Sequence, residues 1–255
     1  FDKLGTGGLY LITGDTGAGK MPEPELLMEY IKRAAYKKKD LAGKKVCVSA
    51  GPTREAIDPV RYISNNSTGK MGVELAKMAA YRGAKVTLVI GPSDVFVPDF
   101  ITRIDIESAK DMYDEIMKIS DSQDIIIKAA AVADYTPAKY SDEKIKKKDT
   151  DLSIELSRTK DILKELGKRR ADNPKKQFLC GFSMETENME ANSKKKLKSK
   201  NVDMIVANNV KVEGAGFGTD TNVVTIFTKD KEIILDKLSK LEVAKKIFDE
   251  IVRNF

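Results

Sequence analysis

Apolar and polar positions in this chain fall into blocks that switch between two periods. Val46-Cys47-Val48-Ser49-Ala50 is a nearly continuous apolar run, the pattern of a strand buried on both faces. A polar stretch follows from Gly51 to Gly69. Met71, Leu75, Met78 and Ala79 then recur at helical spacing, and Val86-Thr87-Leu88-Val89-Ile90 is a second apolar run. The unit from Lys44 to Gly91 is strand–loop–helix–strand, the βαβ core of a parallel sheet. Its long polar loop lies at the carboxyl end of a strand, where open α/β sheets bind ligands.

The rest of the chain repeats this alternation. Leu26, Leu27, Tyr30, Ile31 and Ala34 form one face of a helix within residues 25–40. Lys37-Lys38-Lys39-Asp40 and Ala42-Gly43-Lys44-Lys45 read as an exposed linker, which places a domain boundary near residue 43. Arg103-Ile104-Asp105-Ile106 is a short strand. Ser108 and Asp111 have capping-box spacing before a helix through Met112, Ile116 and Ile119. Asp124 to Val132 is a central strand that runs into Ala133 and Asp134, and its three alanines leave room for a ligand against the backbone. Residues 138–150 read as a loop ending in Lys144-Ile145-Lys146-Lys147-Lys148-Asp149. The alternation of Leu152, Ile154 and Leu156 predicts a half-buried strand.

A helix over 160–171 follows, carrying Ile162, Leu163 and Leu166, and then a strand over 177–182. Lys194, Lys195, Lys196, Lys198 and Lys200 mark a basic helix. A strand from Asp203 ends in Asn208-Asn209, and Gly214 to Gly218 is a mobile loop. Residues 223–228 and 232–235 predict an antiparallel pair. The last helix starts at Ser239, is capped by Glu242, and buries Val243, Ile247, Ile251 and Val252. The pattern predicts an α/β fold: a Rossmann-like, mostly parallel sheet flanked by helices, with a C-terminal antiparallel strand pair. There is no internal repeat.

Composition narrows the chemistry. The 255 residues contain no histidine, so a His general base and a Ser-His-Asp triad are excluded. The two cysteines, Cys47 and Cys180, lie in predicted strands and read as buried thiols rather than zinc ligands. No apolar run reaches membrane-spanning length. The net charge of +6 fits either nucleic acid or strongly anionic small molecules, but no aromatic-interleaved basic patch is present. Gly14-Asp15-Thr16-Gly17-Ala18-Gly19-Lys20 fits most of a P-loop. Met21 then stands where a magnesium-holding Ser or Thr is needed, and Pro22 and Pro24 follow.

Candidate binding groups cluster at strand ends. Gly51, Thr53, Ser64, Asn65, Ser67, Thr68 and Gly69 precede a helix N-terminus and make an anion site. Lys196 and Lys200, four residues apart, share a face. Lysine runs are usually solvated, and these gain weight from lying beside strand ends.

Ser49-Ala50-Gly51-Pro52-Thr53-Arg54-Glu55, Asp58 to Asn65, Ala129 to Tyr135, Lys144-Ile145-Lys146-Lys147 and Gly216-Phe217 closely resemble the phosphopantothenoylcysteine synthetase family. The resemblance extends over essentially the whole chain. Residues 1–25 resemble the end of the flavin-dependent decarboxylase that is often fused ahead of that synthetase in bacteria. The implied division is 1–43, decarboxylase tail plus linker, and 44–255, synthetase domain, with 44–255 sufficient for activity. FMN would belong to the decarboxylase body only.

The resemblance implies a two-step reaction. The carboxylate of 4′-phosphopantothenate attacks the α-phosphate of CTP, and the amine of L-cysteine then displaces CMP. It implies nucleotide contacts at Ala130, Asp134, Lys144, Lys160, Asp161, Ile162, Leu163, Phe182, Lys196 and Lys200; Gly51, Thr53, Ser67 and Gly69 of the anion site, with Lys128 and Ala129 at the end of the central strand, complete the candidate nucleotide set. Substrate contacts would fall on Asn65, Ala130, Ala131, Lys146 and Lys147. Asn65 and Lys144 would be catalytic, with Lys144 on a mobile flap. Asp134 would hold Mg2+ or accept a ribose or base hydrogen bond. Thr159-Lys160-Asp161 stands where relatives often carry Asn-Pro-Asp. A cytoplasmic homodimer is expected, and a higher oligomer where the decarboxylase is fused. Two other readings lack their motifs: a Rossmann oxidoreductase has no glycine fingerprint here, and an RNA-binding module has no stacking patch.

Overall fold

The computed structural model describes residues 21–147, 151–173, 175–185, 188–209, 216 and 218–255. Helix α1 (Pro24–Ala35) leads into strand β1 (Lys45–Ala50). A small hairpin, β2 (Arg54–Ala56) with β3 (Tyr62–Ser64), occupies the polar loop before α2 (Lys70–Tyr81). Then come β4 (Lys85–Ile90), β5 (Thr102–Asp105), α3 (Ala109–Ile119) and β6 (Ile125–Lys128). A second hairpin, β7 (Tyr135–Pro137) with β8 (Leu156–Arg158), precedes α4 (Ile162–Arg169). The C-terminal third contains β9 (Phe178–Glu185), α5 (Met189–Ser199), β10 (Met204–Asn209), β11 (Thr221–Asn222), β12 (Val224–Thr228), β13 (Glu232–Ile234), β14 (Leu238–Ser239) and α6 (Lys240–Asn254).

Eight strands form one sheet in the order β13-β12-β10-β9-β6-β1-β4-β5. All neighbours from β10 to β5 are parallel, and β12 and β13 add antiparallel at the edge. This is the mostly parallel, Rossmann-like sheet expected from the apolar runs, with the expected C-terminal antiparallel pair. Each face carries its own core. Val46 and Val48 pack with α2 and α6 on one side, and Cys47 and Ile126 pack with α3, α4 and α5 on the other. Both cysteines are buried in strands. Burial pushes the Cys47 thiol up to about 12 and raises Cys180 as well.

The topology fixes where a ligand can enter. From β1 the chain builds outward through β4 and β5, then returns to lay β6 on the opposite edge of β1. The strand order therefore reverses between β1 and β6, and open α/β sheets bind ligands at such a switch point. Gly72 draws α2 close to this point, because a Cβ there would lie 2.4 Å from the Ala50 Cβ.

Three local expectations differ from what is observed. The linker over 37–45 is tied to the body. Leu41 is fully buried, and Asp40 accepts from the Nε of Arg82, itself fully buried, at 2.7 Å. In α1 the buried residues are Glu29 and Tyr30, whereas Ile31 is exposed. Glu29 tolerates burial because the Tyr81 hydroxyl donates to it and Lys77 lies 3.5 Å away. Pro24 is the first residue of α1, where its missing N–H has no partner to lose. The alternating Leu152, Ile154 and Leu156 do not form a half-buried strand. Only 156–158 pair with β7, and Leu152 is 56% exposed. The P-loop-like Gly14–Lys20, Lys148–Asp149 and the loop residues Gly214, Ala215 and Phe217 lie outside the described residues.

Candidate active-site cleft

The alanine run after β6 is held by residues from the end of β1. Ser49 Oγ accepts from the Ala130 N–H at 3.2 Å, and Gly51 C=O accepts from the Ala131 N–H at 2.9 Å. Thr53 Oγ1 accepts from the Ala133 N–H at 3.0 Å. These bonds make 129–133 a fixed ledge. Asn65 reaches it from the end of β3, its Nδ2 donating to Ala131 C=O at 2.9 Å. Gly69, at φ +84°, then turns the chain into α2. No side chain caps this N-terminus and no acidic residue sits in its first turn. Its free N–H groups and dipole are therefore available to an anion.

A cleft of about 390 Å³ opens between ledge and helix. It is lined by Asn65, Ser67, Gly69, Lys128, Ala129, Ala130, Ala131, Asp134, Phe182, Lys196 and Lys200 from the expected set. Five lysines and one carboxylate, Asp134, face it among its described lining residues. Lys70 and Lys240 were not foreseen. Lys70 Nζ donates to Gly218 C=O at 3.0 Å and pairs with Asp220 at 2.7 Å. Lys240 Nζ donates to Thr219 and Thr221 carbonyls, so the two lysines together hold the cleft's far rim.

Other expected residues lie behind or beside the cleft. Thr53 is fully buried and spends its hydroxyl on the ledge, and Gly51 supports the same ledge. Asp161 caps α4 by accepting from the Lys164 N–H at 3.0 Å and pairs with Lys200 at 3.1 Å, which orients that lysine toward the cleft. Lys160 lies over the Tyr113 ring at 4.5 Å. Ile162 and Leu163 are core residues. Lys144, Lys146 and Lys147 are exposed on their segment and do not line the cleft.

Three cleft-lining polar groups escaped sequence reasoning. Ser183 Oγ, Asn208 Oδ1 and Asn222 Oδ1 are buried with no hydrogen-bond partner among the described residues. A buried acceptor left unpaired costs about 1–3 kcal/mol, so these atoms are disposed to meet a polar ligand. They come from β9, β10 and β11, whose convergence no local motif announces. The double asparagine ending a strand was the available signal. A divalent cation shared with a phosphate-bearing ligand would fall to Asp134, the one carboxylate among the cleft's described lining residues. Mg2+ is commonly held by one or two carboxylates together with substrate phosphates, and the residues present fit that mode.

Burial, with Lys200 beside it, holds the Lys128 amine down to about 8. Its charging in the free protein is therefore costly below pH 8, and that cost fades as pH rises from 8 towards 10.5. An anion in the cleft favours the charged form. Binding of inorganic tripolyphosphate is thus expected to take up a proton near pH 8–9 and to weaken above it. Lys128→Met should raise the stability of the ligand-free protein at pH 7, by up to about 3 kcal/mol, and weaken that binding at least tenfold. Calorimetry in two buffers and a thermal melt read both effects. A melting point unchanged or lowered by the substitution contradicts the assignment.

The family of DNA/pantothenate metabolism flavoprotein C-terminal domains matches residues 41–255. The coenzyme A biosynthesis bifunctional protein CoaBC of Bacillus subtilis is 48% identical over 246 residues, 95% of this chain. The chain spans 60% of that relative's length. A solved C-terminal domain of a CoaBC protein is 41% identical with a TM-score of 0.71, covering 85% of this chain and 97% of that one. A solved Cab2 variant in complex with phosphopantothenate-cysteine shares the fold at 14% identity and a TM-score of 0.68, covering 90% of this chain and 94% of that one. From its ledge of alanines to its final helix, this chain belongs to the family of DNA/pantothenate metabolism flavoprotein C-terminal domains.

Proposed function

We propose that this cleft ligates 4′-phosphopantothenate to L-cysteine in coenzyme A biosynthesis, using CTP to activate the carboxylate. The observation that carries this reading is the pairing of Asn65 and the Ala130–Ala131 ledge with the uncapped N-terminus of α2, inside a five-lysine cleft. A carboxylate is a poor acylating agent at neutral pH, and transfer to the α-phosphate of CTP makes it an acyl-cytidylate with CMP as leaving group. The protein's task is to bring anions together and offset their repulsion. The α2 N–H groups with Ser67 and Gly69, and Lys128, Lys196 and Lys200, take the triphosphate. Asn65 faces the acyl group, and Lys144 neutralises the departing pyrophosphate. The similarity to CoaBC proteins and to a fold that holds phosphopantothenate-cysteine supports this substrate class.

Mg2+ held by Asp134 would screen charge on the phosphates. FMN has no role in this domain. The proposed homodimer would cover the apolar residues left exposed on the β7–β8 arm, Tyr135, Leu152 and Leu156. A cytoplasmic location suits a biosynthetic ligase, and among the described residues no helix is long and apolar enough to cross a membrane. Pyrophosphate release with each nucleoside triphosphate, with and without phosphopantothenate, tests the reading. Release is expected with CTP, far above ATP, and only when phosphopantothenate is present. Equal release with both nucleotides removes the CTP assignment.

A further inference from the structure

The turn between β2 and β3 contains an aspartate that does more than close the hairpin. Asp58 is only 2% exposed. Its Oδ1 accepts from the Val60 and Arg61 N–H groups, both at 2.9 Å, which is all that the turn needs. Its Oδ2 faces the other way. It accepts from the Arg61 guanidinium and, at 3.1 Å, from the N–H of Ile145, 87 residues along the chain. The same guanidinium donates to the Ile145 C=O at 3.1 Å. Both backbone polar groups of Ile145 are thus gripped by one ion pair. A second tie lies close by, where the Ser141 N–H donates to Ile57 C=O at 3.0 Å. The Arg61 guanidinium holds the Asp58 carboxyl well below the usual carboxylate range, so the grip is charged at any working pH.

We propose that Asp58 is a positioning residue: through Oδ2 it latches the 141–147 segment by Ile145 and so sets where the neighbouring Lys144 can reach. This rests on the reading that Lys144 acts on the phosphates of the nucleotide. Lys144 itself is exposed and gets its direction from the backbone on either side. A latch on the next residue restricts that direction without touching substrate. The ligand-free segment is then already ordered at its centre, and less ordering remains to be done when substrates bind.

Asp58→Asn separates the two duties. The amide oxygen keeps the turn bonds, while an NH2 in place of Oδ2 opposes the Ile145 N–H and the guanidinium. Ile145→Pro is the complementary change, because it deletes the N–H and leaves Asp58 and its turn intact. In the full 255-residue chain without substrates, trypsin cleavage after Lys146 and Lys147 is followed by mass spectrometry, because a proline at position 145 itself blocks cleavage after Lys144. Both variants should be cut at least tenfold faster there, with melting points near wild type. Pyrophosphate release should lose kcat about tenfold or more with little change in the KM for CTP. Unchanged cleavage in both variants overturns the latch, whatever the activity. Faster cleavage with an unchanged kcat overturns the positioning role. Should Asp58→Asn lower the melting point, Ile145→Pro alone decides between these outcomes. Absence of pyrophosphate release in the wild type would remove the functional reading and leave the cleavage test of the latch standing.

Discussion

Asn65→Asp is expected to stall the reaction at the acyl-cytidylate, releasing one pyrophosphate per site but little CMP even when cysteine is present. The amide of Asn65 is anchored by its Nδ2 bond to Ala131 C=O. The second hydrogen of that NH2 and the amide oxygen remain for an acyl oxygen and an incoming amine. Aspartate is nearly isosteric, but when ionised it has no donor. It would face the Ala131 carbonyl and repel the charge that builds on the acyl carbonyl during amine attack. Losing one such donor costs about 3 kcal/mol, roughly a hundredfold in rate. Activation of the carboxylate relies on the lysines and the helix N-terminus and should suffer less. Quench analysis of CMP and pyrophosphate separates the two steps. Equal and near-normal amounts of both contradict this role.

Asp40→Ala, or removal of residues 1–43, is expected to destabilise the protein by about 2–3 kcal/mol, because it takes away one of the two carboxylates that hold a buried guanidinium. Arg82 is fully buried, and its guanidinium is held on one side by Asp40 and on the other by Asp249 at 2.8 Å. Leu41 adds a fully buried side chain and an N–H bond to Arg82 C=O at 3.0 Å. A chain beginning at residue 44 lacks all of this, together with the Glu29–Tyr81 contact of α1. The expectation that 44–255 suffices for activity must therefore contend with a weakened fold. The Arg82 bonds hold Asp40 below its ordinary value near 3.8, outweighing its burial. The network's contribution is complete above that pH and is lost as pH falls further. Urea denaturation of Asp40→Ala at pH 7 reads the effect, and a loss under 1 kcal/mol contradicts it.

The sheet was legible because burial on both faces leaves strands as continuous apolar runs, as at 46–50 and 125–128. Helix starts at Ser108 and Ser239 were legible because a capping box needs only two residues three apart, and both boxes form. The linker is exposed at Lys37, Lys38 and Lys39 as its composition says, but its two anchors, Asp40 and Leu41, were not legible because they find partners far along the chain. Leu152, Ile154 and Leu156 alternate as a strand should, yet alternation says nothing about whether a covering layer exists. The cleft was half legible. Asn65, the alanine ledge and Lys128 lie in or beside contiguous motifs at the switch point. Lys70, Lys240, Ser183, Asn208 and Asn222 reach the cleft from four elements and a strand end that only the folded sheet brings together. Gly51 and Thr53 lie in a binding motif but support the ledge from behind.

The central claim is that the carboxylate of phosphopantothenate attacks the α-phosphate of CTP in this cleft. It is tested most directly by labelling that carboxylate with oxygen-18 and following the label by mass spectrometry through one round of ligation with cysteine. Attack at the α-phosphate leaves one carboxylate oxygen on the nucleotide, so the label should appear in CMP and not in pyrophosphate. Label in orthophosphate, with CDP as co-product, would mean attack at the γ-phosphate and contradict the account.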